Sequence, residues 1–385
     1  MPHISHKNAL IITGMRQVGK STLMRQLFDE LNEPNKLWFD FDNPLDQKLF
    51  EDIEYHNIHK RLIKKAKNDK KRLFVFIDEI QNLPEITKVI KFLIDHYGIK
   101  FIVTGSSNFY LKNLFPESLS GRKFLYHLKP LNFKEYLYFN NQINLKEAQK
   151  KELKIVLNQK DQIFLKQFEE EYINYLEFGG FPEVVTTKDD KTKRMILKNI
   201  FASFFEKDLK ILSDYKDIRE LRDLILLLVP RIGSLLDISK LASELSVDRK
   251  KIYEYLEFLQ GTFFVTLLQK YSKSIDRSVA GGRKIYFTDT GILNMLGSVN
   301  DSQLFENAVI NQLSDYGEIS FYNKKNTIEI DAILDKKNAF EIKLTGTDIY
   351  YNKLKNTAEN LDIKKYYIIS KKIINRSNFI SPIGL

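Results

Sequence analysis

The sequence predicts an α/β chain. It opens as a parallel sheet with helices on both faces, continues through a helical stretch and a helix–hairpin segment, and ends in a small α/β element. Three observations carry this. Strand-like runs at 9–13, 37–41, 72–77 and 100–104 alternate with helical stretches at 20–32, 45–67 and 84–96, as a parallel sheet requires because its strands are joined by helical crossovers. Between 237 and 259 two helical patterns stand at helix-turn-helix spacing, with β-rich runs after them. Beyond residue 327 two short strands each carry charges on one side.

The first strand, Ala9-Leu10-Ile11-Ile12, runs into Gly14-Met15-Arg16-Gln17-Val18-Gly19-Lys20-Ser21-Thr22, which reads GxxxxGK[ST]. Leu23, Met24, Leu27 and Phe28 then recur at helical spacing. Strand, glycine turn and helix in this order make a phosphate-binding P-loop, whose backbone N–H groups converge on an anion at a helix N-terminus. Lys20 would reach the β- and γ-phosphates of a nucleoside triphosphate, and the Ser21 hydroxyl would ligate Mg2+.

The run Leu73-Phe74-Val75-Phe76-Ile77-Asp78-Glu79 reads as a strand buried on both faces and ending in two acids. Asp78 would hold Mg2+ opposite Ser21, and Glu79 would polarise the attacking water. One strand and helix lie between these two segments, so the acid-bearing strand is expected not to neighbour the P-loop strand. At the end of the 100–104 run, Thr104 and Ser106 are candidate γ-phosphate sensors, or hydroxyls capping a helix near Phe109. Arg122 is a candidate for neutralising transition-state charge in its own or a neighbouring subunit, or a surface ion pair.

Residues 141–176 show helical spacing, with Ile155, Leu157, Phe164, Leu165 and Phe168 needing burial. Ile238, Leu241, Ala242 and Leu245 mark one following helix; Ile252, Tyr255, Leu256 and Leu259 mark the next, with Asp248 as its N-cap. With the runs 263–271 and 283–288 they make a winged-helix pattern. Arg249, Lys250 and Lys251 at the second helix, and five basic residues in the presumed wing at 270–284, are candidate DNA contacts. A packing module has the same pattern.

Glu306 opens an amphipathic helix, and Glu329, Asp331, Glu341 and Lys343 follow on strands. Asp331 followed ten positions later by ExK resembles the PD-(D/E)xK nuclease core. Glu306, Asp331 and Glu341 would then ligate Mg2+, and Lys343 would orient water or stabilise charge at a scissile phosphate. A surface hairpin with ordinary charges is the competing reading, and a nuclease-like fold need not be a live nuclease.

Composition narrows the classes. With 385 residues the chain holds two or three domains. The absence of cysteine excludes disulfides, cysteine-held zinc and a thiol nucleophile. None of the six histidines shows convincing ligand spacing. No apolar run approaches a membrane span, and the opening residues lack a signal-peptide core, so no membrane partner and a cytoplasmic location are expected. A net charge of +10 points weakly to a polyanion.

Together these segments resemble a large bacterial and archaeal group of AAA-like ATPases that join a P-loop core to a winged helix and a C-terminal nuclease-like domain of uncharacterised role. The resemblance rests on GMRQVGKST, FVFIDEIQ, TGSSN, SGR before LKPLNFKEYL, GGFPEVV, YFTDTGIL, FENAVINQL, EIDAIL and FEIK, in family order across almost the whole chain. It implies ATP and Mg2+ as cofactors and four parts: an ATPase core at 1–140, a helical lid or connector at 141–215, a winged helix at 216–290 and a nuclease-like domain at 291–385. Such proteins usually carry a helical segment before the first strand, where only about eight residues stand here. Base recognition is therefore looser, or the start lies upstream. Two functions fit: an ATP-hydrolysing protein whose nucleotide state controls DNA binding and a nuclease-like domain, or an ATP-gated regulatory or scaffolding protein (a signal-type NTPase) with that domain inactive. Candidate partners are DNA, a second copy of the chain or another protein.

Overall fold

The computed structural model describes residues 3–68, 71–105, 121–149, 153, 157, 162–208, 215–274, 278, 281–324 and 328–385. They separate into two compact units: Met1–Lys129 with Gly261–Phe263, and Pro130–Gln260 with Phe264–Leu385.

The first unit is built on five parallel strands, β1 (Ala9–Thr13), β2 (Lys36–Asp40), β3 (Phe74–Asp78), β4 (Lys100–Gly105) and β5 (Lys123–His127), in the order β2-β3-β4-β1-β5. The inner strands are apolar because both faces are covered. Leu10, Ile12, Phe74, Phe76 and Ile102 pack with Met24 of helix α1 (Lys20–Glu30) on one face. Ala9, Ile11, Val75, Ile77, Phe101 and Val103 pack on the other, under helices α3 (Tyr55–Lys65) and α4 (Ile86–Tyr97). Each of these side chains larger than alanine contributes about 1.5–3 kcal/mol on burial. β4 lies between β1 and β3, as the inserted strand and helix require.

Two local readings change. The stretch 45–67 is two helices, α2 (Pro44–Lys48) and α3. Asp52 breaks it by accepting the Glu54 amide at 2.9 Å and pairing with Arg61 at 2.5 Å. β5 is an edge strand of mixed exposure, without the apolar run that marks the others.

The second unit combines helices with a seven-stranded sheet in the order β12-β11-β10-β9-β8-β6-β7. Helices α5 (Phe133–Phe139), α6 (Glu169–Phe178) and α7 (Asp190–Ser203) precede α8 (Tyr215–Leu228), α9 (Ile238–Leu245) and α10 (Arg249–Gly261). Leu165 and Phe168 are buried as expected, whereas Ile155 and the side chain of Phe164 lie outside the described residues. Between α8 and α9 the chain bridges β7 at Ile232↔Ile285 and Leu235↔Lys284. The hairpin β6 (Val265–Lys270) and β7 (Arg283–Phe287) follows α10. After α11 (Thr290–Leu296) and α12 (Asp301–Leu313) come β8 (Ile319–Lys324), β9 (Ile328–Leu334), β10 (Asn338–Lys343), α13 (Asp348–Asn360), β11 (Lys365–Ser370) and β12 (Phe379–Ile380).

The division of the chain differs from the four-part expectation. The first compact unit runs to Lys129, within the 1–140 expected for the ATPase core. No break falls at 290: β6 pairs with β8 through Gln269↔Ser320 and Lys270↔Phe321, and the Tyr271 amide donates to the Phe321 carbonyl at 2.6 Å. One sheet thus spans the hairpin and the C-terminal strands. The GGFPEVV and YFTDTGIL segments also meet inside this unit. The buried Asp289 carboxylate accepts the Gly180 amide at 2.7 Å and the Ile292 amide at 3.0 Å. Burial nevertheless pushes its carboxyl up to about 6.

Candidate nucleotide site and a lysine-paired acidic cluster

β1 ends at Thr13 and the chain turns sharply. Gly14 takes φ 154°, and a Cβ there would stand 2.1 Å from the Leu128 carbonyl oxygen, so only glycine fits. Gln17 and Gly19 adopt left-handed dihedrals (φ 62° and 93°), and α1 starts at Lys20 with no side chain capping its first turn. The N–H groups of that turn have no partner within the helix and carry its partial positive charge toward the loop. Met15 and Val18 are buried, which anchors the loop, while Arg16 and Gln17 are more open and Ser21 and Thr22 are exposed. Lys20 is buried; its ammonium donates to the carbonyls of Gly14 at 3.1 Å and Met15 at 2.6 Å. A buried ammonium inside a loop of backbone amides is a cradle for polyphosphate.

Asp78 and Thr104 end neighbouring parallel strands, on the α1 side of the sheet. The Thr104 hydroxyl, fully buried, donates to Asp78 Oδ1. The Glu79 amide donates to Asp78 Oδ1 and Thr104 Oγ1, both at 3.2 Å. Thr104 therefore sets the acid pair. Ser106 and the helix it was expected to open lie outside the described residues. Glu79 has left-handed backbone (φ 52°, ψ 50°), a conformation costing a non-glycine residue about 1–3 kcal/mol. The Gln81 amide donates to Glu79 Oε2. Nothing in the sequence marks Gln81, since an amide two positions after an acid is no motif by itself. Together Lys20, Ser21 and Asp78 supply the donors and oxygens that suit a magnesium–triphosphate complex.

The Arg122 carbonyl accepts the Ala9 amide at 2.8 Å, at the start of β1, while the P-loop follows the end of β1. That strand separates the two by roughly 13 Å at 3.3 Å per residue. The guanidinium pairs with Asp95 at 2.7 Å. The ion-pair reading of Arg122 therefore fits its place at the edge of the sheet opposite its own P-loop, and a role at a neighbour's nucleotide needs an oligomer.

In the second unit Glu306 (α12), Asp331 (β9), Glu341 and Lys343 (β10) do converge. The Lys343 ammonium stands 2.9 Å from Asp331 Oδ2 and 3.0 Å from Glu341 Oε1, and the Ile342 amide donates to Asp331 Oδ2 at 2.8 Å. Two residues of β7 join them. Tyr286 donates to Glu306 Oε1 at 2.7 Å; Lys284 lies 3.8 Å from the same oxygen and pairs with Glu329. Burial, then the charge of Asp331, raises both Glu306 and Glu341 to about 7. Burial by itself would lower the two lysines, but the acids around them outweigh it and raise both.

The expected three-carboxylate metal set is not present: among the described residues no group of three or more histidine, aspartate or glutamate side chains is placed to hold a metal ion. Lysines stand between the acids instead. Period-two spacing puts Lys284 and Tyr286 on one face of β7, but it does not name the acids they meet.

The candidate DNA contacts divide. Lys250 is exposed, 3.8 Å from Glu254. Arg249 donates to Ser239 Oγ at 2.7 Å. Lys251 turns inward to Asp217 at 2.6 Å, so it is not a free cation on that helix. In the presumed wing Lys284 is buried, Lys273 pairs with Asp362, and Arg277 lies outside the described residues. Among the described residues no helix is long and apolar enough to cross a membrane.

Residues 6–137 match the family described as an AAA domain, and residues 169–303 match a domain of unknown function, DUF8612. The chain is 28% identical over 374 residues to the uncharacterized protein MJ1544 of Methanocaldococcus jannaschii, covering 92% of this chain and 77% of that one. It is 26% identical over 352 residues to an uncharacterized protein of Haemophilus influenzae, covering 86% and 82%. Among solved structures, the Aeropyrum pernix ORC1 protein in complex with DNA aligns at a TM-score of 0.32 and 11% identity, covering 75% of this chain and 86% of that one. That likeness is too remote to carry a functional argument. The P-loop unit is an AAA-type, P-loop NTPase-like α/β domain.

Proposed function

We propose that this protein is a magnesium-dependent ATPase whose nucleotide state governs its second unit, including a DNA-contacting winged helix formed by α8–α10, the Ile232–Leu235 bridge and the β6–β7 hairpin. The observation that carries the ATPase reading is the joint placement of Lys20 inside the glycine loop and Asp78 beside Thr104 at adjacent strand ends. Lys20 and the amides of Gly14–Thr22 bind the phosphates, and Ser21 with Asp78 holds the cation. Bound Mg2+ supplies charge neutralisation at the phosphates. Glu79, aimed by its own backbone, orients and deprotonates water; Gln81 holds its carboxylate. Arg249 and Lys250 contact phosphates of the DNA backbone.

Thermal melting tests the site. At ATP about 100-fold above Kd, binding stabilises the fold by about 2.7 kcal/mol. Lys20→Ala should abolish the shift, whereas Glu79→Gln should keep it and lose turnover. A Lys20→Ala protein still melting higher with MgATP would refute the assignment.

For the C-terminal part, the lysine pairing of Asp331, Glu341 and Glu306 favours the scaffolding alternative, a nuclease-like fold without cleavage chemistry. Metal-dependent DNA nicking that disappears in Asp331→Ala would restore the nuclease reading.

A further inference from the structure

Three segments that the nucleotide site leaves unused, LKPL at 128–131, GGFP at 179–182 and TDTG at 288–291, are joined in series by short contacts. At one end Leu128 is fastened to the P-loop. Its amide donates to the Thr13 carbonyl at 2.7 Å, and its own carbonyl oxygen fills the space where Gly14 would carry a Cβ. Three residues on, Leu131 is fastened in the second unit. Its amide donates to the Gly180 carbonyl at 2.7 Å, its carbonyl accepts the Tyr175 hydroxyl at 3.1 Å, and a Cβ on Gly180 would stand 2.0 Å from that carbonyl oxygen. The Gly180 amide is held in turn by the buried Asp289 carboxylate, which also caps α11 through the Ile292 amide. Each of these contacts lies within one unit, and the chain alone passes from one to the other.

We propose, resting on the ATP-binding reading above, that residues 128–131 form a strap through which occupancy of the P-loop reaches the junction of Gly180 and Asp289, and with it α11. Only Lys129 and Pro130 separate the two fastened residues. Pro130 fixes its own φ and steers Lys129 to extended backbone, so the strap has little slack. The loop end is where nucleotide acts first. The Lys20 ammonium donates to the carbonyls of Gly14 and Met15, and to serve the β- and γ-phosphates it must turn away from them. Gly14 is also the residue packed on the Leu128 carbonyl, so a change in its position displaces the strap. At the far end Leu131 and Gly180 fit as closely, and movement there bears on the amide that Asp289 holds.

Hydrogen–deuterium exchange of the full chain tests this, with and without the magnesium complex of the non-hydrolysable analogue AMP-PNP. In wild type the analogue should slow exchange across residues 14–22, and by about fivefold or more in peptides carrying the Gly180 and Ile292 amides. Two glycines inserted between Lys129 and Pro130 add up to about 7 Å of slack and keep both fastenings. The slowing at 14–22 should then remain, and that at Gly180 and Ile292 should vanish. Distal slowing that persists in the insertion variant overturns the strap, as does a wild type protected at 14–22 and unchanged at Gly180 and Ile292. A wild type unprotected at 14–22 refutes nucleotide binding itself, and the strap falls with it. Should the insertion variant not fold, Pro130→Gly decides: its freer backbone should lose roughly half or more of the distal slowing, and full wild-type slowing would sink the idea.

Discussion

Replacing Thr104 by valine isolates the link between the two strand ends. Valine keeps the shape of the fully buried side chain, so packing changes little; what goes is the hydroxyl donating to Asp78 Oδ1 and accepting the Glu79 amide at 3.2 Å. A hydrogen bond to a charged group is worth about 1.5–3 kcal/mol. The Glu79 amide keeps its contact to Asp78 Oδ1 at 3.2 Å, so the backbone turn has one remaining tether. If the lost energy falls on the orientation of Asp78 and Glu79 during hydrolysis, turnover should drop about 10- to 100-fold, at 1.36 kcal/mol per decade. Steady-state ATPase kinetics with magnesium titration would measure it, and Thr104→Ser should restore activity. Wild-type turnover and magnesium dependence in Thr104→Val would refute the reasoning, leaving Thr104 a core residue.

Gly14→Ala should abolish the MgATP melting shift, because its Cβ cannot coexist with the Leu128 carbonyl 2.1 Å away; an unchanged shift would contradict the loop geometry. Asp289 binds its proton more tightly folded than unfolded, since burial lifts it from 3.8 to about 6. Its contribution therefore favours folding at low pH and is lost as pH rises from about 4 to about 6. Melting curves should show this slope reduced in Asp289→Asn, and an identical pH profile would refute it. Reversing Arg249 and Lys250 to glutamate should weaken DNA binding and flatten its salt dependence. Fluorescence anisotropy at several salt concentrations would show it, and unchanged affinity would remove this helix as the contact.

Much of the first unit was legible because its signals are local. Strand, glycine turn and helix occupy one continuous stretch, and an acid ending an apolar run marks its own strand. The readings of Arg122 stayed open because strand direction, set by pairing with β1, decides which edge of the sheet a residue occupies. The neighbouring SGR motif contains no such information. In the second unit Glu306, Asp331, Glu341 and Lys343 could be grouped by order and alternation. Lys284 and Tyr286 could not, since their partners lie twenty or more residues away on other elements and only sheet order joins them. Basic residues in the hairpin read as a solvent-facing surface, whereas long-range pairing buries Lys284.

The shared sheet has a consequence for how this chain can be divided. Cutting at residue 290 would strip β8 of its β6 neighbour, leaving backbone groups at Ser320 and Phe321 open along an apolar edge. A fragment holding only the last quarter of the sequence would inherit Glu306 and Glu329 without the amine that balances them. Inheritance, transplantation or proteolytic excision of the C-terminal strands therefore has to carry the hairpin along, starting no later than the turn at Ile232.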